Sequence, residues 1–187
     1  FDTWFSSGQW PFATLMTNKK NDFKTYYPTD VMETGHDILF FWVARMIMLS
    51  LYATDKIPFK TIYLHGLIRD KDRQKMSKSK GNVIDPLGVA EIYGTDAVRM
   101  ALVAGNAPGN DIVISEDKIR GYRNFSTKIW NVARFILMNY DESSKKIKPS
   151  FTAEDKKILK ELKNIRSKIT KDLESFKFHE ASSKIYH

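Results

Sequence analysis

The chain has 187 residues, the size of one ordinary domain or two small ones. Its composition, 42% hydrophobic and 13% aromatic, is sufficient for a sizeable core and excludes a disordered chain. It has no cysteine, which excludes disulfides and cysteine-ligated metal centres, and its four scattered histidines give little support to a histidine site. We therefore predict no bound metal. The net charge of +8 favours a polyanionic partner such as nucleotide phosphates or nucleic acid.

The start of the chain and its longest apolar run bear on whether the protein is targeted to a membrane or secreted. Residues 38–44 are apolar, but Arg45 follows, and the run is too short to span a bilayer, so we predict no membrane partner. The first four residues carry no basic segment, so they are not a signal peptide, and we expect a cytoplasmic protein. The chain has no initiator methionine and opens in mid-pattern, so we expect a piece of a longer chain.

The first part of the chain alternates strand-like and helix-like segments. Residues 29–33 and 61–64 are predicted strands, and residues 36–53 between them form a predicted helix that is apolar almost all round and so buried. Two strands joined by a helical crossover of this length form a parallel α/β unit. Further on, Asp85 and Pro86 predict a helix start, and Gly94 predicts its end.

The last third is predicted to be helical. Thr95 and Asp96 cap a short helix that reaches about residue 103, and residues 105–110 are a loop and a plausible boundary. Ser115 caps a long helix to about residue 140, residues 141–150 form a polar connection, and Thr152 with Asp155 opens a second long helix. The second helix carries one apolar stripe, made by Ile158, Leu162, Ile165, Ile169 and Leu173. We predict an α/β domain over residues 1–113 and a helical domain over residues 114–187 whose apolar face needs further helices.

The segment that carries chemistry is a polar loop that follows the second strand. It places three lysines, Lys75, Lys78 and Lys80, among small serines, with Met76 as an apolar anchor. Flexible ammonium groups and backbone N–H donors in such a loop can surround a triphosphate. On charge alone, a solvated basic loop is the simpler interpretation.

The run Lys75-Met76-Ser77-Lys78-Ser79 is the complete KMSKS signature of the class I aminoacyl-tRNA synthetases, and its flanks, including Gly81-Asn82 and residues 93–99, also resemble that family. Two upstream runs, residues 2–7 and 34–46, resemble its valine-specific members. Residues 121–125 resemble the start of the family's anticodon-side helical domain. An isoleucine- or leucine-type synthetase, or a non-catalytic RNA-binding module derived from the fold, remains an alternative.

The resemblance implies the second half of a Rossmann-like nucleotide-binding fold of α/β class, followed by an all-α helical bundle fragment. It implies ATP-dependent activation of L-valine to valyl-adenylate and transfer to tRNA(Val), with Mg²⁺ bridging the phosphates of ATP. The family's second signature, His-x-Gly-His, does not occur here. The first half of the nucleotide fold and the editing domain would therefore lie in the rest of the parent chain, and we expect this chain alone to be inactive.

The resemblance also implies residue roles. Lys78, assisted by Lys75, would contact the departing phosphates as the catalytic pair, and Met76, Ser77 and Ser79 would complete the ATP-binding loop. Gly35 would admit the adenosine and Asp37 would accept hydrogen bonds from the ribose, although a carboxylate at a helix start is also favoured by the helix dipole.

Three further groups have weaker predictions. His65 is a candidate for ATP binding or a structural histidine. Trp4 and Ile38 are candidates for the valine pocket, although a core position explains Ile38 almost as well, and residues 40–42 are interpreted as core. Three basic residues of the first long helix are candidates for tRNA contact, against the simpler interpretation of a solvated face: Arg120, Arg123 and Lys128.

Overall fold

The computed structural model describes residues 1–141 and 150–187. Most of the polar connection predicted at 141–150 therefore lies outside the described residues. The predicted α/β class is confirmed, because the described chain combines two pairs of parallel strands with several helices. It divides into two compact units, residues 1–67 with 108–111 and residues 68–107 with 112–187. The predicted family-domain boundary after residue 113 stays a prediction.

The first unit is organised around one parallel strand pair. Strands β1 (Thr29–Gly35) and β2 (Phe59–His65) pair in parallel from Thr29 opposite Phe59 to Gly35 opposite His65, which confirms both predicted strands. Parallel strands bring their carboxyl ends to the same edge, so Gly35 and His65 lie side by side there. Three short helices precede the sheet: α1 (Thr3–Gly8), α2 (Trp10–Thr17) and α3 (Asp22–Tyr26).

The crossover between the strands is helical throughout, as predicted, but not regular. A 3₁₀ turn over His36–Ile38 leads into π-helical turns over Leu39–Ala44 and then into α4 (Arg45–Thr54). Val43 and Met46 are fully buried and cluster with Phe59 of β2.

The expected all-round burial of this crossover is wrong for the described chain. Phe40 is 80% exposed and Phe41 is 55% exposed, so neither is core, whereas Trp42 is half-buried and donates a hydrogen bond from Nε1 to the Ser7 carbonyl. The physical reason is that β1 and β2 cover only one face of the helix. An apolar sequence cannot tell which of its faces is covered.

The whole crossover, His36–Thr54, is long enough and apolar enough to cross a bilayer, with a mean hydropathy of 1.4 over 18 residues. This is weak evidence for a membrane span, because core helices of soluble proteins can have the same length and composition. The prediction of no membrane span rested on the shorter apolar run 38–44 and missed this longer stretch.

The second unit joins a small parallel strand pair, β3 (Ile68–Arg69) with β4 (Ile112–Val113), to five helices within its described residues. These are α5 (Pro86–Tyr93), α6 (Thr95–Val103), α7 (Glu116–Asn139), α8 (Ala153–Glu174) and α9 (Phe178–Tyr186). The core consists of small and branched residues from α5, α6, the residue that follows β4 and the start of α7.

The predicted helix starts are confirmed by side-chain caps. The Asp85 carboxylate accepts from the N–H groups of Leu87 and Gly88, and Ser115 Oγ accepts from the Lys118 N–H. Thr152 and Asp155 form a reciprocal capping box. These interactions are local in sequence, which is why the pattern predicts them.

The apolar stripe of α8 is confirmed as a face that lacks cover in the described chain. Ile158 is 63% exposed and Leu162 is 60% exposed, and α8 packs mainly beside α9 instead of against α7. Ala181 and Ser182 are the buried residues of α9.

Candidate functional site

The KMSKS loop, residues 75–79, leaves β3 through a tight turn. Lys75 forms an isolated antiparallel bridge with Arg69, which brings the start of the loop back beside the strand. A single 3₁₀ turn over Lys78–Lys80 follows, and Gly81 closes it with a φ of 65°, in the left-handed region that favours glycine. Met76 is half-buried, in accord with its expected role as an anchor.

The lysines of the loop differ in their partners. The Lys80 ammonium donates to Gln74 Oε1 at 3.3 Å. Within residues 1–141 and 150–187, neither Lys75 nor Lys78 has a partner for its ammonium group, and both side chains are exposed. Ser77 Oγ and Ser79 Oγ lie 3.2 Å apart on the same side of the loop. The loop thus presents two uncompensated positive charges on a fixed backbone, which is an anion-binding arrangement.

Two polar side chains outside the signature fix that backbone. Asn82 Nδ2 donates to Asp70 Oδ2 at 2.6 Å, and Asn82 Oδ1 accepts from the Ser77 N–H at 2.9 Å. Asp70 Oδ1 also accepts from the backbone N–H groups of Asp72 and Gln74. The hydrogen bond from Asn82, and then that from Gln74, lowers the pKa of the Asp70 carboxyl below its ordinary value.

The strand-end group of the first unit consists of Gly35, Asp37 and His65. Beside them lie Glu33, His36, Gly66 and Asp111. Gly35 is buried, and a Cβ there would lie 2.6 Å from Asp37 Oδ1, so the glycine makes room for a carboxylate folded back over it. Asp37 is exposed in the first turn of the 3₁₀ segment. Its carboxylate is therefore accessible to a ligand hydroxyl. The same position, at a helix start, is also favoured by the helix dipole.

His65 is engaged at both ring nitrogens. Nδ1 lies 2.8 Å from the Gly66 carbonyl oxygen, to which it donates in the tautomer protonated at Nδ1. Nε2 lies 3.2 Å from Glu33 Oε1, a contact that becomes an ion pair when the ring is protonated. His65 is thus held in place by its own strand end. Its predicted contact with ATP stays a prediction.

Gly66 lies under a second crossing segment. A Cβ on Gly66 would be 1.7 Å from the Asn110 carbonyl oxygen, so only glycine allows residues 108–111 to pass over the end of β2. Asp111 Oδ1 accepts from the Leu67 N–H at 3.0 Å and lies 3.7 Å from His36 Nε2. The loop predicted at 105–110 is confirmed, but its last residues belong to the first unit.

The two candidates for the amino-acid pocket are half-buried in the first unit. The Trp4 ring packs on Phe41 with centroids 5.9 Å apart, and Arg45 lies over the same Phe41 ring. Ile38 ends the 3₁₀ turn that follows Gly35. Their predicted contact with valine stays a prediction.

The basic candidates of α7, Arg120, Arg123 and Lys128, are all exposed, whereas Ile119 is buried. At 3.6 residues per turn, Lys128 lies opposite Ile119, while Arg123 lies one turn after it. Arg120 is paired with Asp117 at 2.6 Å. The face is basic and solvated, which is compatible with RNA contact and with the simpler interpretation.

Comparison with known proteins decides the family. A family model described as tRNA synthetases class I (I, L, M and V) matches residues 1–115, more than half of the chain. The chain belongs to this family. The class I synthetase resemblance drawn from the KMSKS loop is therefore confirmed.

Among curated relatives of this class I synthetase chain, the valine–tRNA ligase of Solibacter usitatus is 52% identical over 186 residues, 99% of this chain and 22% of the relative. That of Clostridium tetani is 48% identical over 189 residues, again 99% and 22%. The chain thus spans about a fifth of the length of these relatives, and it matches the valine-specific branch as predicted.

Solved structures of class I synthetases share the fold. The LeuRS of Agrobacterium radiobacter K84, in a ternary complex with tRNA and LeuAMS, matches with a TM-score of 0.79 and 24% identity over 98% of this chain and 26% of that chain. Methionyl-tRNA synthetase of Mycobacterium tuberculosis, bound by methionyl-adenylate, matches with a TM-score of 0.69 and 25% identity over 89% of this chain and 33% of that chain.

Reasoning from the sequence missed the residues that hold the synthetase loop and the strand end. Asp70 and Asn82 are 12 positions apart, and nothing in their spacing indicates that they meet. Gly66 and Asp111 are farther apart still. The available signals were weak: the glycine directly after His65, and the asparagine next to Gly81.

Proposed function

We propose that this chain is part of a valine–tRNA ligase, in which it contributes the KMSKS loop to the formation of valyl-adenylate from L-valine and ATP, before transfer to tRNA(Val). One observation carries the proposal. The complete signature lies on an exposed loop with a fixed backbone, and the ammonium groups of Lys75 and Lys78 are unpaired within the described chain.

The chemistry requires this kind of site. In adenylate formation the carboxylate of the amino acid attacks the α-phosphorus of ATP, and pyrophosphate leaves with increasing negative charge. No covalent bond to the enzyme forms, so catalysis consists of positioning and of charge stabilisation. Lys78 stabilises the departing phosphates, and Lys75 assists from the start of the loop. The loop serines and the Met76 backbone complete the ATP contact.

The strand-end group has the complementary role in this proposal. Asp37 is exposed and accepts hydrogen bonds from the ribose hydroxyls, Gly35 leaves the room that this carboxylate occupies beside the adenosine, and His65 borders the same strand end. Trp4 and Ile38 supply apolar surface to the valine side chain, whose binding depends mainly on buried area.

Magnesium enters this proposal with the nucleotide. The described residues contain no group of three or more His, Asp or Glu side chains arranged for a metal ion. We propose that Mg²⁺ arrives as the ATP complex and remains coordinated by the phosphates, as it commonly is at nucleotide sites.

The partners and location follow from the same assignment. Arg120, Arg123 and Lys128, which are exposed on α7, contact tRNA phosphates, and the affinity for tRNA therefore falls steeply with salt. The rest of the parent chain supplies the first half of the nucleotide fold and the editing domain. The protein acts in the cytoplasm.

The test uses the full-length ligase that carries this chain. Lys78→Ala should raise the barrier to adenylate formation by about 2–4 kcal/mol, the scale for loss of one preorganised charge donor, with little change in valine affinity. ATP–pyrophosphate exchange with valine measures it. Lys80→Ala is the matched control, because Lys80 is two residues away and already paired with Gln74. An unchanged exchange rate for Lys78→Ala would remove the loop from the reaction.

Specificity needs the same assay with three amino acids. The ligase should support exchange with valine far better than with isoleucine or leucine. A preference for either of the others would replace the valine assignment but leave the role of the loop intact. Absence of exchange with all three would favour a non-catalytic RNA-binding protein.

A further inference from the structure

The KMSKS loop is held at its two ends by one side-chain pair, Asp70 before it and Asn82 after it. Asn82 Nδ2 lies 2.6 Å from Asp70 Oδ2, a short and charge-assisted hydrogen bond. The same Nδ2 lies 3.4 Å from the Lys75 carbonyl oxygen, and Asn82 Oδ1 accepts from the Ser77 N–H at 2.9 Å. One amide thus contacts the residue before the loop and two backbone groups within it.

The residue types suit this task. Asn82 must donate to a carboxylate and accept from a backbone N–H in the same place, and an amide does both, whereas a lysine or arginine only donates. A neutral partner also leaves the loop lysines available, since the Asp70 carboxylate accepts from the Asn82 amide and from two backbone N–H groups instead of from a loop lysine. Asp70 in turn fixes the preceding turn by accepting from the N–H groups of Asp72 and Gln74.

We propose that Asp70 and Asn82 are positioning residues for adenylate formation, which hold the loop backbone so that Lys78 meets the departing phosphates. This inference rests on the proposed function of the loop. Neither side chain contacts the substrate. They act through the hydrogen bond to the Ser77 N–H, which precedes Lys78 directly, and through the turn that enters the loop.

The pair can be exchanged without losing its complementarity. In the double variant Asp70→Asn/Asn82→Asp, the new amide at 70 donates to the new carboxylate at 82. The oxygen at 70 still accepts from the backbone of its turn, and the carboxylate at 82 still accepts from the Ser77 N–H. Only the long contact to the Lys75 carbonyl is lost. In Asn82→Asp alone, two carboxylates face each other, so two acceptors meet. In Asp70→Asn alone, two amide NH₂ groups face each other, so two donors meet.

The experiment measures ATP–pyrophosphate exchange by the full-length ligase. Asn82→Asp should lower kcat about 30-fold and Asp70→Asn about 10-fold, because a displacement of about 1 Å at a reacting group costs up to about 100-fold. The KM for valine should stay within about twofold, and the melting temperature should fall only slightly, since the pair stabilises a single loop. The double variant should recover kcat to within about threefold of the parent enzyme.

Two controls separate the possible failures. Asp72→Asn removes the same charge from the same turn, but no hydrogen bond of the Asp72 carboxylate occurs among the described residues, so it should leave kcat unchanged. Lys78→Ala is measured in parallel. If Lys78→Ala slows exchange while Asn82→Asp does not, or the double variant is no better than Asn82→Asp, the positioning role is wrong and the function of the loop stands. If Lys78→Ala has no effect, the proposed function itself fails.

Discussion

The two groups of candidate residues, the KMSKS loop and the strand-end group, are arranged in opposite ways. In the loop, the polar side chains that flank the signature bond to each other and to the backbone, and the cationic side chains of Lys75 and Lys78 are left exposed. At the strand end the ionisable side chains themselves face each other, with His65 beside Glu33 and His36 near Asp111. A loop of the first kind is suited to a charged group that moves during reaction. A strand end of the second kind is suited to holding one fixed shape.

The largest effect that tests this contrast concerns the fixed strand end. Gly66→Ala places a Cβ against the Asn110 carbonyl and should destabilise the crossing of residues 108–111 by about 2–3 kcal/mol, the scale of overpacking. Hydrogen exchange at the Gly109 amide, which donates to the Leu64 carbonyl, should become about 100-fold faster. Gly121→Ala is the control, since nothing lies within 4 Å of its added Cβ. Unchanged protection at Gly109 would mean that the strand end is not fixed by this crossing.

A smaller effect tests whether the strand end binds ATP at all. Asp37→Asn should raise the KM for ATP about tenfold in the full-length ligase, because the ribose loses a charged hydrogen-bond acceptor. Gly35→Ala, which displaces the same carboxylate, should give a weaker rise of the same kind. The surface variant Asp30→Asn, which breaks only the exposed pair with Lys60, should not change the KM. A lower melting temperature for Asp37→Asn with an unaltered KM would assign Asp37 to the helix start.

The smallest effect concerns the pH dependence of the stabilisation that Asp70 gives to the loop. The pKa of the Asp70 carboxyl is lowered from its ordinary value of 3.8, chiefly by the hydrogen bond from Asn82. The ionised Asp70 carboxylate therefore contributes its full stabilisation at a pH above its ordinary pKa. That stabilisation declines as the pH falls below the ordinary pKa and is lost below the lowered pKa. Carboxyl carbon NMR should show the lowered pKa, and Asn82→Ala should raise it. Asp155, whose pKa is lowered by Thr152, should not respond, and an Asp70 pKa that ignores Asn82→Ala would contradict the pairing.

The parts that the sequence predicted are those in which neighbours in the chain determine the outcome. Asp85, Ser115 and Thr152 cap the helices that follow them, and the spacing of strand, helix and strand predicts the parallel pair. The KMSKS run was recognised because its residues are contiguous.

The parts that it missed depend on contacts between distant residues. The exposure of Phe40 and Phe41 depends on which face of the crossover the strands cover. The pairing of Asp70 with Asn82 and the passage of Asn110 over Gly66 arise only when the chain has folded. A single sequence carries no periodicity that reports either contact.

The central claim is that the loop around Lys78 neutralises the polyphosphate of ATP. A crystal structure of the full-length ligase with a non-hydrolysable ATP analogue and valine tests it most directly. In that complex the Lys78 ammonium should lie within hydrogen-bond distance of a phosphate oxygen, with Asn82 still bonded to Asp70. A bound nucleotide whose phosphates lie far from the loop, in a complex that is competent for exchange, would contradict it.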